Sequence, residues 1–496
     1  MRTRALSVAG VAALTIATSA ALAPVAHASA AVPVTRVSTD PFTNPTSQHA
    51  TELEPDTFAH GRTVVGAFQV GRFFDGGATD IGVVRSGDGG RTWGAPGFLP
   101  GMTFSSGAPG NPYERVSDAS VAYDAAHGAW LVSSIGIRPD RVVPAVQVNR
   151  STDDGRTWSA PVAIPAPVAK IVSLDKNWTV CDNHPRSVFF GSCYTELDNP
   201  AEDDTELMST SRDGGRTWSV PVETAGHDKG LGGQPVVQPD GTVVVPFESL
   251  NGKIEAFTSG DGGTSWSHGV AVDGIRFHTV AGDLRTSPLP SAEIDAAGRV
   301  YVAWEDCRFR TKCSSNDIVL STSTDAVHWS APARVPIDPV TSGADHFIPG
   351  LAVDPRTSGR SAHLALTYYS YADATCTGGC RLQVGYVSSP DGGAHWGTPT
   401  ALSGTMSLDD IASTSQGPMV GDYISTSFSG ATATTLFAVG RPKPTASSFD
   451  EAMYAPATPL AVATAAQATE PATSTGVVVP LNGVGTGVTH QSLRSD

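Results

Sequence analysis

The chain has 496 residues and a formal net charge of −16, and 16% of its residues are charged. This acidic balance argues against nucleic acid as a partner, because phosphate binding needs a basic face, but a few arginines in a cleft can still hold a small anion. The 52 glycines and 36 prolines, with no long helical pattern after the N-terminus, predict an all-β chain rich in turns.

The N-terminal segment has the pattern of an export signal. Two arginines within the first four residues precede an uncharged, mostly apolar stretch (5–23), and the small residues Ala28 and Ala30 fit a signal-peptidase site. A membrane anchor is the weaker alternative, because the stretch is alanine-rich and barely long enough to span a bilayer. We therefore expect residues 1–30 to be a cleaved signal peptide, and the mature protein to be secreted and extracellular without a membrane span.

A motif of the form S-x-D-x-G-x-x-W recurs along the chain and is called the Asp box below. Its five intact copies are Ser86–Trp93, Ser151–Trp158, Ser211–Trp218, Ser259–Trp266 and Ser389–Trp396, and Ser323–Trp329 is a shortened sixth. Successive copies start 48 to 66 residues apart, which is the length of a four-stranded blade with its loops. The aspartate can accept backbone N–H groups and the glycines supply positive φ, so we interpret each box as a structural hairpin turn.

Apolar β-hairpins occupy the segments between the boxes. Seven such hairpins are found, and the last, in the segment 419–454, has three candidate strands and no Asp box. The N-terminal strand 32–37 can complete this last sheet. The sequence therefore predicts a β-propeller of four-stranded antiparallel blades over residues 31–456, with seven blades, or six as the alternative, and Asp-box turns in six of them.

The six cysteines fall into three close pairs. These pairs are Cys181 with Cys193, Cys307 with Cys313, and Cys376 with Cys380. An even number of cysteines in an exported chain favours disulfides, each stapling a short loop. The spacings do not match the paired motifs of a zinc site, so we assign no metal ligands and expect no cofactor, while bound calcium at acidic loops such as Glu202–Asp204 stays open.

The C-terminal segment differs in composition from the rest of the chain. After Pro456 the sequence is rich in alanine, threonine, valine and glycine, without aromatic residues or periodicity. We expect residues 457–496 to form a low-complexity, disordered tail.

The Asp boxes at this spacing resemble those of the sialidase superfamily of Asp-box, or BNR-repeat, proteins. This superfamily includes exo-sialidases, other glycosidases, some polysaccharide lyases and non-catalytic propellers, and the resemblance covers about residues 32–455. It implies three arginines that hold a substrate carboxylate, a tyrosine nucleophile assisted by a glutamate, and an aspartate as acid and base. The F/Y-R-I-P motif of sialidases is absent before the first box, where the sequence reads GRFFDGG and Arg72 is a loose substitute. No catalytic residue is therefore transferred one by one.

Propeller topology narrows the search for the site. The loops before the first strand of each blade and those between its second and third strands open on one face, and the Asp boxes lie on the other. Candidates of the first group are Arg115, Asp118, Asp175, Lys176, Arg285, Asp345, His346, Asp422 and Tyr423. Candidates of the second group are Arg72, Arg138, Glu196, Glu248, Asp306, Arg308, Tyr368, Tyr369 and Arg441. Most single residues of this kind are solvated or structural, but together they are suited to an acidic sugar.

The first functional hypothesis is a secreted, monomeric glycosidase of sialidase type that removes a terminal acidic sugar from a glycoconjugate or polysaccharide. In it, Arg285 and Arg308 bind the sugar carboxylate from the same blade. The catalytic residues are Tyr369 as nucleophile with Glu248 as its helper, and Asp422 or Asp306 as proton donor.

Two alternatives remain open at this point. In a polysaccharide lyase, His346 or Tyr423 would abstract the C5 proton of a uronic acid, while an arginine or Lys176 neutralises the carboxylate. In a non-catalytic propeller, the same face, including Arg115, would bind a glycan or a protein. Product analysis separates the three functions.

Overall fold

The computed structural model describes residues 32–168, 172–445 and 448–468. The described chain is all-β, with strands joined by turns, loops and short 3₁₀ helices. Within these ranges, no helix is long and apolar enough to cross a membrane. The predicted signal peptide lies outside the described residues, as does the predicted tail after residue 468.

The strands are two to thirteen residues long. In chain order they are β1 (Val34–Arg36), β2 (Gln48–His60), β3 (Thr63–Arg72), β4 (Ala78–Ser86), β5 (Gly97–Phe98), β6 (Arg115–Asp124), β7 (Ala129–Ile137), β8 (Ala145–Ser151), β9 (Val162–Ala163), β10 (Asp175–Cys181), β11 (Cys193–Asn199), β12 (Thr205–Ser211), β13 (Val222–Glu223), β14 (Gly230–Leu231), β15 (Val236–Val237), β16 (Val243–Ser249), β17 (Lys253–Ser259), β18 (Val270–Gly274), β19 (Ser291–Ile294), β20 (Val300–Asp306), β21 (Asp317–Ser323), β22 (Ala333–Arg334), β23 (Asp345–Val353), β24 (Leu364–Tyr371), β25 (Arg381–Ser389), β26 (Thr400–Ala401), β27 (Met406–Ser407), β28 (Ser413–Thr414), β29 (Gly417–Pro418), β30 (Ser425–Ser429), β31 (Thr432–Gly440), β32 (Glu451–Pro456) and β33 (Leu460–Ala461). The 3₁₀ helices are Pro200–Glu202, Ala281–Asp283, Thr311–Cys313, Gly359–Ser361 and Leu408–Asp410.

Neighbouring strands pair antiparallel in chain order. β10–β13 and β19–β22 are sheets of four strands, and β14–β18 and β23–β27 each have five. The sets β2–β5 and β6–β9 repeat this order inside a larger sheet that also contains β30–β32. The predicted all-β class with four-stranded antiparallel sheets is therefore confirmed.

The hydrophobic core lies between successive sheets. One cluster joins Leu131 and Val148 of the set β6–β9 to Leu197 and Leu207 of the next sheet, with Trp218 of the third Asp box against them. Strands buried on both faces read as near-continuous apolar runs, as in β3, whose ten residues are all buried. Each sheet is thus held by apolar contacts to its neighbours.

The N-terminal strand pairs with the end of the chain. β1 runs antiparallel to β32, with Val34 opposite Pro456 and Arg36 opposite Tyr454. The buried Ser38 that follows donates to Glu52 at 2.6 Å. The predicted pairing of the N-terminal strand with the last hairpin is therefore confirmed.

The Asp boxes form tight turns held by their aspartates. In the third box, Asp213 Oδ1 accepts the backbone N–H groups of Arg216 and Thr217, each at 2.9 Å, and its Oδ2 accepts the Thr217 hydroxyl at 2.7 Å. The aspartates of the first, second and fourth boxes accept the equivalent backbone groups. The predicted structural role of the boxes is confirmed.

Replacing Asp213 with alanine should therefore destabilise the protein by roughly 1–3 kcal/mol, because two backbone donors lose their acceptor. Urea unfolding of the variant measures this loss. Asp240→Ala is the matched control, because Asp240 accepts a single backbone N–H, from Thr242, in an exposed turn. Equal midpoints for Asp213→Ala and the wild type would contradict the structural role.

All three predicted disulfides are present, and every cysteine is bridged. Cys181 and Cys193 are directly opposite each other on β10 and β11. Cross-strand neighbours bring their Cβ atoms within bridging distance. This bridge therefore closes the loop between the two strands.

The packed part of the chain extends past Pro456, the predicted start of the tail. Leu460 and Ala461 form β33 and pair with Ala433 and Thr432 of β31. The backbone N–H of Ala463 donates to the Ser388 hydroxyl at 3.0 Å. The predicted boundary at Pro456 was therefore too early. The two-residue segment Leu460–Ala461 is enough to add an edge strand.

The first strands of several sheets contain β-bulges that position the site. β2, β6, β10 and β23 each shift register against the following strand. At these shifts Glu54, Asp118, Lys176 and Ile348 adopt φ values of 54°, 52°, 31° and 51°. A bulge re-aims a side chain, and this conformation is uncommon for residues other than glycine. Three of the four residues are charged and belong to the cluster described next.

Candidate functional site

Five charged residues from five separate segments meet in a buried charge cluster. Asp422, just before β30, accepts Lys176 Nζ at 2.6 Å and Arg285 Nε and Nη2 at 2.9 and 2.6 Å. Lys176 Nζ also donates to Asp118 Oδ1 at 3.2 Å. The backbone N–H of Asp422 donates to Glu54 Oε1 at 3.1 Å. The cluster therefore links β2, β6 and β10 to the segments that precede β19 and β30.

These ion pairs are almost completely withdrawn from water. The side chains of Lys176, Arg285 and Asp422 are 6%, 11% and 1% exposed. Burial alone would raise the pKa of Asp422, but Arg285 and Lys176 hold it below its usual range. Burial alone would lower the pKa of Lys176, but Asp118 and Asp422 raise it well above its usual value. The three groups are therefore charged at neutral pH and stabilise one another.

One member of the cluster and a neighbouring carboxyl group titrate near neutrality. Burial raises the pKa of Glu54 to about 7, and burial followed by the charge of Asp118 raises the pKa of Asp175 to about 7. Arg72 is buried on the same side, donates to Gln69 Oε1 at 3.0 Å, and leaves its Nε without a partner. The sequence prediction included Arg72 as a loose substitute in the missing motif, and it did not include Glu54.

A narrow pocket with a cavity volume of about 10 Å³, room for about one water molecule, opens beside the charge cluster. Lys176, Trp178, Glu196 and Tyr423 line it. The rings of Trp178 and Tyr423 meet edge to face, with centroids 5.2 Å apart, and Lys176 Nζ lies 5.6 Å from the Tyr423 centroid. A cation, two aromatic rings and a carboxyl group thus share one cavity.

A larger groove of about 450 Å³ lies elsewhere, beside β3, β4 and the second Asp box. Its charged residues are Arg85 and Arg156, which donate to the backbone oxygens of Asp154 and Asp153 in that box. These arginines hold the turn, and no carboxyl group lines the groove. The groove therefore offers no carboxyl group as an acid or base for glycoside chemistry.

Comparison with known proteins finds one matching domain and a partial match to a relative. Residues 67–273 match the BNR repeat-like domain. A protein named sialidase from Bacteroides fragilis (strain YCH46) is 28% identical over 161 residues, which cover 28% of this chain and 28% of that protein. The chain therefore contains a BNR repeat-like domain and is similar to a sialidase over part of its length. The match spans little more than a quarter of that relative's length.

Solved structures similar to this sialidase-like protein include two sialidases and a lyase. The Hadza microbial sialidase Hz136 is 18% identical, with a TM-score of 0.46 and coverage of 71% of this chain and 68% of that one. The NanB sialidase from Streptococcus pneumoniae is 12% identical, with a TM-score of 0.42 and coverage of 87% and 71%. An ulvan lyase of family PL25 is 11% identical, with a TM-score of 0.47 and coverage of 85% and 95%.

Six of the predicted site residues come together. Asp118, Lys176, Glu196, Arg285, Asp422 and Tyr423 lie in the charge cluster or line the adjacent pocket. Their loops were predicted to open on a common face.

Arg308 does not join this group. Its guanidinium donates to Asp306 through Nε and Nη2, at 2.9 and 2.8 Å, and to Asp273 at 3.0 Å. The expectation that Arg285 and Arg308 meet at one carboxylate is therefore wrong, since Arg285 binds Asp422. Asp306 stands only two residues before Arg308, and this local partner keeps both residues away from the pocket.

Tyr369 is buried in the hydrophobic core, away from the pocket. Its hydroxyl donates to the carbonyl of Ala438 at 3.0 Å and accepts the N–H of the same residue at 2.9 Å. Glu248 is buried on β16, where burial raises its pKa to about 7 and the Ser287 hydroxyl donates to it at 3.4 Å. No contact joins Tyr369 to Glu248 among the described residues, so the predicted nucleophile and helper are separated.

His346 is also buried outside the pocket. Its imidazole and the carboxylates of Asp317 and Asp338 offer ligand atoms within 4.8 Å of one another. The guanidinium of Arg310, however, donates to both aspartates, and Arg334 also pairs with both. Two cations already neutralise this group, so its donor set does not suit a metal ion.

Arg115 pairs with Asp75 and Glu114 at the start of β6. Its guanidinium also stacks over the ring of Phe73, 4.3 Å from the centroid. These contacts hold the side chain in a separate group, so Arg115 does not reach the charge cluster.

Proposed function

We propose that this sialidase-like protein hydrolyses a glycan that carries a carboxylate, and that a terminal acidic sugar binds at the mouth of the pocket lined by Lys176, Trp178 and Tyr423. One observation carries the proposal: a cationic group and an aromatic pair line the same cavity beside a charge cluster. A sugar ring presents an apolar face that packs on aromatic rings, and its carboxylate is attracted by buried cations.

The charge balance of the cluster supports an anionic substrate. Arg72, Lys176 and Arg285 bring three cations, and Asp118 and Asp422 bring two carboxylates. Glu54 and Asp175 are substantially protonated below neutral pH because their pKa values are raised to about 7. Mildly acidic conditions therefore leave a net positive field that favours an anion. The relative named sialidase supports the same class of substrate.

The proposal includes the architecture. We infer that the strand sets of the described residues are seven blades of a propeller over residues 31–456, with β33 added at its edge, and that pairing of β1 with β32 closes the ring. The antiparallel sets in chain order support this reading. We also propose that the protein is secreted after loss of residues 1–30, since its three disulfides suit an oxidising compartment.

The function is tested by product analysis with the full chain. We expect 3′-sialyllactose, or a glycan ending in another acidic sugar, to release that free sugar. Incubation with ulvan measures the lyase alternative, because a lyase leaves an unsaturated uronate that absorbs in the ultraviolet. Absence of every product from a panel of acidic glycans would refute the hydrolase proposal.

The pocket is tested with Trp178→Ala. The half-buried ring is expected to stack on the sugar, so its loss should lower kcat/KM about tenfold or more, since one stacked ring is worth about 1–2 kcal/mol. The melting temperature should change little. Phe104→Ala, which removes an exposed aromatic ring outside the pocket, is the matched control. Equal losses in both variants would remove the pocket from the proposal.

A non-catalytic glycan-binding protein is the second candidate. It is favoured by the pairing of Lys176 and Arg285 with Asp422 and by the burial of the Tyr369 hydroxyl in the core. Binding of the same glycans without product, abolished by Trp178→Ala, would identify this function.

A further inference from the structure

The groove beside β3, β4 and the second Asp box is open because two glycines form part of its wall. Gly94 and Gly97 line the groove, whose volume of about 450 Å³ lies within the usual range for ligand sites. A Cβ atom on Gly94 would have the carbonyl oxygen of Arg85 as its nearest neighbour, at 3.4 Å, and one on Gly97 would have Val83 Cγ2, at 3.7 Å. Neither glycine has a positive φ. The backbone therefore accepts a side chain at both positions, and the missing side chains create the space.

The other Asp boxes show which contact is missing at Gly94. In four of them the residue after the tryptophan is a serine whose hydroxyl accepts, at 2.9–3.2 Å, the backbone N–H of the residue before the box: Ser159 from Arg150, Ser219 from Thr210, Ser267 from Thr258 and Ser330 from Thr322. The first box has Gly94 at this position, and its N–H donates to the Arg85 carbonyl at 2.8 Å, as in the other boxes. By this register the Arg85 N–H points at the groove and lacks the hydroxyl acceptor. A bound main-chain carbonyl can take the place of that hydroxyl.

The fifth intact box also has a glycine after its tryptophan, Gly397, and there the chain itself covers it. A Cβ atom on Gly397 would lie 2.5 Å from Ala463 Cβ. The backbone N–H of Ala463 donates to the Ser388 hydroxyl at 3.0 Å. Ser388 corresponds to Arg85, because each residue directly precedes its box. This glycine therefore receives a polypeptide segment through a main-chain contact, which is the kind of ligand that we expect at Gly94.

The rest of the groove also suits polypeptide better than sugar. Its wall includes the apolar side chains of Val65, Val83 and Phe98. Of the described residues that line it, none has a carboxylate or amide side chain that could accept sugar hydroxyl groups. An extended peptide places alternate side chains in apolar pockets and uses its main chain for hydrogen bonds. The groove therefore fits a short apolar segment in extended form.

The sequence contains such a segment beyond the described residues. Residues 477–481 are three consecutive valines followed by a proline and a leucine, with no charge among them. Valine is a residue that favours extended backbone. The 28 residues after Ala468 can span about 90 Å when extended, whereas a compact domain of about 430 residues has a radius of gyration of about 22 Å. The segment can therefore reach the groove from the last described residue.

We propose that residues 477–481 bind in the groove beside Gly94 and Gly97 of the same chain, with a main-chain carbonyl accepting the N–H of Arg85. The bound valines pack against the apolar wall, and the segment holds β4 and β5 to the second Asp box, which also lines the groove. This contact is independent of the proposed glycan hydrolysis, because the groove and the pocket at Lys176 share no residue.

Hydrogen–deuterium exchange of the full chain, followed by mass spectrometry, tests this contact. Peptides that contain Arg85, and peptides that contain residues 477–481, should exchange about tenfold more slowly in the wild type than in Gly97→Val or Val478→Asp. Gly97→Val fills the groove with the residue that the second, third and fourth boxes have at the equivalent position, so the variant should fold. Val478→Asp brings a charge into the apolar segment. Gly404→Ser is the matched control, because a Cβ atom on Gly404 also meets open space and lies outside the groove.

Four results decide whether the groove holds this segment. A synthetic peptide of residues 472–486 that restores slow exchange at Arg85 in Val478→Asp, but not in Gly97→Val, supports the contact. Equal exchange in the wild type and both variants, or the same loss of protection in Gly404→Ser, overturns it. Protection that grows with protein concentration, together with a dimer in size-exclusion chromatography, overturns it in favour of the segment of a second copy. Slower exchange at Arg85 when 3′-sialyllactose is added to Val478→Asp overturns it in favour of a sugar site.

Discussion

Replacing Asp422 with alanine is expected to destabilise the protein by about 3–5 kcal/mol, the usual cost of removing one partner of a buried ion pair. Asp422 is the acid that Lys176 and Arg285 share, and it is 1% exposed. Its loss leaves Arg285 without its bidentate acceptor and Lys176 with Asp118 alone. Urea unfolding of the variant, followed by circular dichroism or fluorescence, measures the loss.

A surface ion pair provides the matched control for Asp422→Ala. Asp450 accepts Arg36 Nη1 at 2.8 Å, and the two side chains are 26% and 39% exposed. Removing such a pair costs about 1 kcal/mol or less. Adding Lys176→Met to Asp422→Ala should recover part of the stability, because the unpaired buried ammonium is then gone. If Asp422→Ala unfolds at the same urea concentration as Asp450→Ala, the charge cluster does not hold these segments together.

The repeats could be predicted because their signals are local. An Asp box needs one aspartate, nearby backbone donors and glycines within eight residues, and Asp213 makes the expected contacts. The bridge between Cys181 and Cys193 follows from two strands joined by a short loop. The pairing of β1 with β32 could be predicted from an incomplete last sheet, although 415 residues separate Ser38 from its partner Met453.

The site could be predicted in part, because topology places loops at a common end but does not assign partners to charges. Lys176, Arg285 and Asp422 were predicted for one face, and they meet there. Arg308 was predicted for the same face, but it turns to the nearby Asp306. Partner choice depends on distances of a few ångströms that strand alternation does not give.

Bulges explain the remaining errors. Strand alternation predicts which side a residue faces only while the register is regular. The shift between Phe347 and Gly350 on β23 changes the pairing with β24, and Tyr369 of β24 faces the core. Glu54 was not predicted because it lies inside β2, and a carboxyl group inside a buried strand is unusual. The same strand also contains Glu52 and Asp56, so no local signal singled out Glu54.

Stability is expected to fall as the pH rises from about 5.5 to about 8.5. Fully buried Glu54, Asp56 and Asp80 have pKa values raised to about 7 by burial, and those of Glu206 and Glu451 are raised to about 8. These groups ionise near pH 4 in an unfolded chain. Between these limits the folded protein binds more protons than the unfolded chain, so each group favours the folded state below pH 4 and loses that contribution as the pH passes 7 to 8.

Urea unfolding should show that the free energy of unfolding falls by roughly 3 kcal/mol or more between pH 5.5 and 8.5. One pKa unit corresponds to about 1.4 kcal/mol, so a single carboxyl group whose pKa is raised by about two units accounts for nearly all of this loss. Glu451→Gln should reduce the dependence of the free energy of unfolding on pH, since it removes one of the groups whose pKa changes on unfolding.

Asp422 has the opposite effect: its lowered pKa stabilises the folded state above pH 4, and this contribution is lost in stronger acid. The two effects together place the maximum of stability near pH 4. A free energy of unfolding that rises from pH 5.5 to 8.5 would mean that the buried acids are ionised in the folded protein.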